Sequence, residues 1–185
     1  MSRPFFLPAL AAASMTVVAA LSACYPAFNW REIRPQGTAL SLLLPCKPDK
    51  AERTVPLGGR PTSLTLLGCD AGDLTFAVSV AELGNAGDAA SALAQWQRAT
   101  LGNMKAAPQA EGAAASRAAP LKVIGAATQP PAVLVQARGQ RADGRAVSGQ
   151  AAYFAQGSQV FQAVVYADKI PQEVAETFFS SLKFE

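Results

Sequence analysis

Three cysteines, thirteen carboxylates and no histidine set the chemistry open to this 185-residue chain. Without imidazole there is no Ser-His-Asp or Cys-His catalysis, and no nitrogen ligand of the usual kind for zinc, copper or haem. Asp70 and Asp73 flank Gly72 in the run Cys-Asp-Ala-Gly-Asp. Carboxylates three apart could take calcium or share acid–base work, but a calcium loop needs further oxygen ligands that do not follow. The pair reads as a solvated turn, and Glu82 and Asp88 as a strand exit and a helix cap. An enzyme built on carboxylates alone would need Asp70, Asp73 and Glu82 to converge in one cleft. Gly84-x-x-Gly87 lacks the Gly-Lys-Ser/Thr of a phosphate loop, and Ser148 and Ser158 have no visible base. Cys46 and Cys69 lack the Cys-x-x-Cys spacing of a redox pair, and two thiolates fill only half a tetrahedral metal site. These residues predict a protein that is not an enzyme and holds no metal or cofactor.

The remaining cysteine, Cys24, closes an apolar leader. Arg3 is the only charge before Arg31, and Phe5 to Ala23 is uncharged. A basic start and an apolar run have the form of a secretory signal. The run is also close to bilayer length, so an uncleaved signal-anchor helix is the competing reading. Leu21-Ser22-Ala23-Cys24 resembles the lipobox of bacterial lipoproteins: an aliphatic residue, two small residues, then cysteine. The resemblance implies that residues 1–23 are a signal peptide, cut before Cys24. It also implies that Cys24 carries a diacylglycerol thioether and that its new amine is acylated, typically by palmitate. In such proteins Asp after the cysteine tends to retain the chain at the inner membrane. Tyr25 stands there instead, which implies the outer membrane with the domain in the periplasm. Removing the leader leaves 162 residues with a formal charge of +2. That gives no basic stripe for nucleic acid.

With Cys24 assigned to lipid, Cys46 and Cys69 are left as an even pair. Export to an oxidising compartment favours a disulfide between them. Each is expected just past a strand end, so strand order decides whether they meet. Residues 24–36 read as a tether carrying Phe28, Trp30, Arg31 and Arg34. Aromatics and arginines beside a lipid anchor suit the headgroup zone. The alternation in Trp30-Arg31-Glu32-Ile33 favours packing on the domain instead. A second candidate interaction group, Arg138, Arg141 and Arg145, surrounds one hairpin; it could meet acidic lipid or a partner protein, or be a solvated loop.

Residues 37–185 read as one α+β domain. Extended stretches are expected at Thr38–Leu44, Arg53–Leu57, Ser63–Leu67 and Leu74–Leu83, the last with apolar residues at period two. A helix follows, opened by Asp88, with Leu93, Trp96, Thr100, Leu101 and Met104 on one face. Ala106–Pro120 is alanine-rich with no apolar stripe and reads as a mobile loop. Then come strands at Val133–Arg138, Ala146–Ala155 and Val160–Ala167. Asp143-Gly144 supplies the first turn between them. Pro171 opens a closing helix with Val174, Phe178 and Leu182 four apart. The progression from Leu74-Thr75-Phe76-Ala77-Val78 to Phe178-Phe179-Ser180-Ser181-Leu182 resembles the PsbP-like fold, which implies an antiparallel sheet sandwiched by packed helices. The functional expectation is a lipid-anchored envelope protein that binds another envelope protein as an accessory or assembly module. The alternative is a periplasmic carrier of a small molecule or lipid.

Overall fold

The computed structural model describes residues 28–106 and 116–185. The leader, the Cys24 lipidation site and most of the expected loop at 107–115 lie outside the described residues. The strands are β1 (Arg31–Ile33), β2 (Leu40–Leu44), β3 (Asp49–Leu57), β4 (Arg60–Ala71), β5 (Leu74–Glu82), β6 (Ser116–Pro120), β7 (Val133–Gln140), β8 (Ala146–Gln156), β9 (Gln159–Ala167) and β10 (Lys183–Phe184). The helices are α1 (Ala89–Asn103) and α2 (Gln172–Ser180). Seven strands form one sheet in the order β3-β4-β5-β9-β8-β7-β6, and three form a second in the order β1-β2-β10. Every strand pair in both sheets is antiparallel.

Alternation along β5, β8 and β9 dictates the layers. In β9, Phe161, Ala163 and Val165 point to one face, and Val160, Gln162 and Val164 to the other. The first face joins Phe76, Phe154 and Phe178 under the small sheet and α2. Phe154 and Phe161 stack at 5.3 Å, and Phe76 meets Phe178 edge-on at 5.3 Å. Such rings contribute beyond their buried area. The second face packs on Ala89, Ala92 and Leu93 of α1.

This corrects the expected fold class. The domain is not an α+β sandwich of helices around a sheet, and the PsbP-like likeness does not carry over. It is mostly β, with ten strands in two antiparallel sheets and two helices of 15 and 9 residues among the described residues. The reason is that a second sheet shares one face of the large sheet with α2. Both chain ends build it: β1 from the expected tether, and β10 from what reads as the end of the last helix. That helix stops at Ser180; Leu182 is buried beyond it, and Phe184 pairs with Leu40.

Other boundaries shift for local reasons. β4 runs through Gly68 to Ala71 rather than stopping at Gly68. A Cβ at Gly68 would sit 3.1 Å from the Phe76 carbonyl oxygen, so this glycine marks a close approach between strands. β6 occupies the end of the expected loop as an edge strand. Asp88 does stand at the start of α1, but its side chain caps nothing and faces Arg60 at 3.5 Å. Asn85 instead caps the preceding turn, accepting from Gly87 N–H at 2.9 Å.

One buried polar link joins α1 to the sheet. The Gln162 amide donates to Thr100 Oγ1 at 2.8 Å and to Tyr153 Oη at 3.1 Å. Thr100→Val removes an acceptor from a buried donor pair without changing volume much. It is expected to lower the unfolding free energy by about 1–2 kcal/mol in a urea titration. A change below experimental error would show that the link contributes nothing.

Candidate functional site

The two candidate interaction groups have different fates. Phe28 and Trp30 stack on each other at 6.0 Å, and both set their rings against Phe76, at 6.5 and 5.9 Å. They are half-buried and packed on the core, as the alternation favoured. Arg31 Nε donates weakly to the Asn29 carbonyl at 3.5 Å. Arg34 is held by Glu32 at 2.8 Å and by Glu185. The stretch from Phe28 onward is therefore folded, so residues 28–36 of the expected tether of 24–36 belong to the domain, and 24–27 lie outside the described residues.

The hairpin between β7 and β8 forms as expected. Gly144 has φ +84°, and its N–H donates to the Arg141 carbonyl at 3.0 Å. Its three arginines do not act together. Arg145 Nε donates to Asp143 Oδ2 at 2.7 Å, and Arg141 reaches Asp168 at 3.3 Å. Donation from the Arg145 backbone N–H and then its side chain holds the Asp143 carboxyl below the usual carboxylate range. Arg138 has no ion-pair partner among the described residues.

Arg138 instead joins a trough of about 980 Å³ on the α2 side of the β6–β7–β8 edge. Register builds its floor. Arg117 pairs with Gln136, Gln136 with Gln150, and Arg138 with Ser148. Side chains two apart on one strand share a face, so Arg117, Gln136, Gln150, Arg138 and Ser148 project together. Ser148 Oγ donates to the Asp168 carbonyl at 3.1 Å, fixing the wall that carries Lys169 and Ile170. Arg117, Lys105 and Lys169 are exposed and, like Arg138, lack ion pairs among the described residues. Neighbouring like charges on one sheet face are destabilising without a counter-charge. The trough thus presents these cations and amides beside the Asp168 carboxylate, which Arg141 holds, and the apolar Ile170. Arg117 escaped the sequence reading because it falls in the alanine-rich run, where no alternation reveals the pairing with β7. Compared with known proteins, the sequence matches no protein-family model and no curated protein.

The acids stay apart. Asp70 accepts from Thr75 Oγ1 at 2.6 Å beside the turn that begins β5, whereas Glu82 ends β5. Asp70 lies opposite Thr75, so seven residues of β5 separate it from Glu82, roughly 23 Å. The convergence that carboxylate catalysis needs is therefore not formed by these three residues. Glu82 is used locally: hydrogen bonds from Ser158 and then from Gly84 N–H hold it below the usual range.

Cys46 and Cys69 form a disulfide with Cα atoms 6.0 Å apart. Cys46 lies just past β2 and Cys69 inside β4, not past its end. The ends meet because β2 belongs to the covering sheet, so the bond staples one sheet to the other.

Titration adds a sign that can be checked. Burial, and secondly the Tyr153 phenol, pushes the Tyr166 phenol up to about 12. The folded state then keeps a proton that the unfolded chain loses near pH 10. Stability from this group is complete below about pH 10 and is lost as pH rises toward 12, by on the order of 2 kcal/mol. With no histidine, urea midpoints are expected to be nearly flat from about pH 5.5 to 8.5. An alkaline fall that Tyr166→Phe fails to reduce would contradict this assignment.

Proposed function

We propose that the protein is a lipid-anchored protein of the bacterial envelope, held in the outer membrane through Cys24 with its domain in the periplasm. It serves there as a non-catalytic accessory module that binds another envelope protein. One observation supports the anchor above the others: Cys46 and Cys69 take each other, which leaves Cys24, in Leu21-Ser22-Ala23-Cys24, as the cysteine outside the pair. A disulfide also fits an exported chain. No helix among the described residues is long and apolar enough to cross a membrane.

The trough is the partner surface of this reading. It is open, and beside Ile170 and the paired Asp168 it carries Arg117, Arg138, Lys169, Gln136 and Gln150. A lipid or apolar carrier site is concave and mostly apolar, so these residues fit an acidic segment of a partner protein better. Radiolabelled palmitate is expected to enter the wild type and not Cys24→Ala. A photo-reactive residue at position 138 is expected to cross-link an envelope protein in intact cells, and Arg117→Glu to weaken that adduct. Absence of label removes the anchor. Absence of any adduct from 138, with labelling intact, removes the partner reading.

A further inference from the structure

The covalent chain between the anchor and the fold is short. Phe28 is already packed on Phe76, and Cys24 is four residues before it. Four residues reach at most about 14 Å. A lipid on Cys24 therefore holds the entry point of the domain within that distance of the headgroups.

Register locates what else lies at this end. Asn29 N–H donates to the Pro45 carbonyl at 2.8 Å, beside Cys46. Cys69 pairs with Phe76, Phe76 with Val165, Val165 with Gln150 and Gln150 with Gln136. One row across the large sheet thus runs from the chain's entry to the floor of the trough. β7 leaves this row at Gln136 toward the hairpin at Arg141–Arg145, extending past it by roughly 17 Å to Arg141. The turn of β4 and β5 at Gly72 ends the sheet on the same side. Lys105 follows at this end too, since the Met104 carbonyl accepts from Gln140 N–H. The turns at Gly58-Gly59, Gly84 and Gly157 lie at the opposite end, where Glu82 pairs with Gln159.

We infer that the end of the large sheet where the chain enters the domain is seated on the bilayer, with the β7–β8 hairpin as its second contact with anionic lipid headgroups. The inference rests on the lipid-anchor reading above. The hairpin tip is exposed and carries Arg145 paired with Asp143; behind it stand Arg141, paired with Asp168, and Arg138, Lys105 and Lys169, while Asp70 and Asp73 lie at the Gly72 turn of the same end. Near a negative leaflet Arg138, Lys105 and Lys169, which have no ion pair among the described residues, are drawn toward the surface within about a Debye length, and Arg145 can exchange Asp143 for a headgroup phosphate. The trough then opens just above the headgroups, so its acidic partner is one that also lies at the membrane surface.

The test uses the full lipidated chain in vesicles containing phosphatidylglycerol and a headgroup-linked quencher. A fluorophore is placed at Ala142→Cys on the hairpin or at Ala86→Cys at the opposite end; both sites are exposed. Quenching at 142 is expected to be several-fold stronger than at 86, and to drop when Arg145→Glu is added. In phosphatidylcholine vesicles Arg145→Glu is expected to change nothing. Equal quenching at the two sites, or stronger quenching at 86, overturns the seat and leaves this end to a protein partner. The mass of the Cys24 peptide is read on the same sample. If it carries no acyl chains, the anchor and the seat fall together; if it is acylated and quenching is equal, the seat alone falls.

Discussion

A single methyl group at position 139 is expected to pry the end of α1 off the sheet. A Cβ on Gly139 would lie 2.0 Å from the Met104 carbonyl oxygen, 2.9 Å from its carbon and 3.0 Å from Met104 Cβ. Two of those atoms are backbone, so no rotamer change relieves the clash. The same oxygen accepts from Gln140 N–H at 2.6 Å, so moving it away breaks a bond that closes α1 onto β7. Overpacking costs typically 1–3 kcal/mol and a lost hydrogen bond about 1 kcal/mol, so Gly139→Ala is expected to cost about 2–4 kcal/mol. Gly102 is the matched control. It lies in α1 with nothing within 4 Å of its would-be Cβ. There alanine is expected to stabilise by about 0.5–1 kcal/mol, because glycine is a poor helix former. Urea unfolding of the two variants should therefore move in opposite directions. Two shifts of the same sign would mean that the Gly139 contact is slack.

Why some elements could be read from sequence and others not follows from where each lies in the sheets. The interior strands β5, β8 and β9 are buried on at least one face along their length, so Leu74, Phe76, Val78 and the Val160–Ala167 run announce them. The hairpin at Asp143-Gly144 is local and carries its own turn chemistry. Edge strands carry a weaker signal: Arg53–Leu57 reads as extended, but the first half of β3 and all of β6 do not. β3 holds Lys50, Glu52 and Arg53 mostly in the open, and β6 is Ser-Arg-Ala-Ala-Pro with four of five residues exposed. The small sheet was hidden for another reason. Its strands have three, five and two residues, and β2 pairs with β10 across almost the whole described chain. No local periodicity encodes that closure, and it is what turned an expected helix-packed sheet into a mostly β domain. The same limit applies to the trough. Arg138 stands out in the sequence through its neighbours Arg141 and Arg145, yet it shares the trough with Arg117, brought to the same face only by the Arg117–Gln136 register.

Loss of the Cys46–Cys69 bond is expected to lower stability by about 3 kcal/mol, the loop-closure entropy for ends 23 residues apart. The loop it closes contains all of β3 and most of β4, and the bond ties β2 in one sheet to β4 in the other. The double variant Cys46→Ala/Cys69→Ala keeps small side chains at two half-buried sites, so lost packing adds little to the entropic cost. Reductant should lower the urea midpoint of the wild type to near that of the double variant, and leave the double variant unmoved. A wild type indifferent to reductant would mean that the bond contributes no stability. The comparison also bears on the compartment. Residues 24–185 produced without the leader in a reducing cytosol should unfold like the reduced form, and the exported chain like the oxidised one. The effect is large against a typical domain stability of 5–15 kcal/mol. On the proposed export, a chain kept in a reducing cytosol would thus carry a markedly weakened fold, and the proposed leader would be what secures the bond that fastens the two sheets.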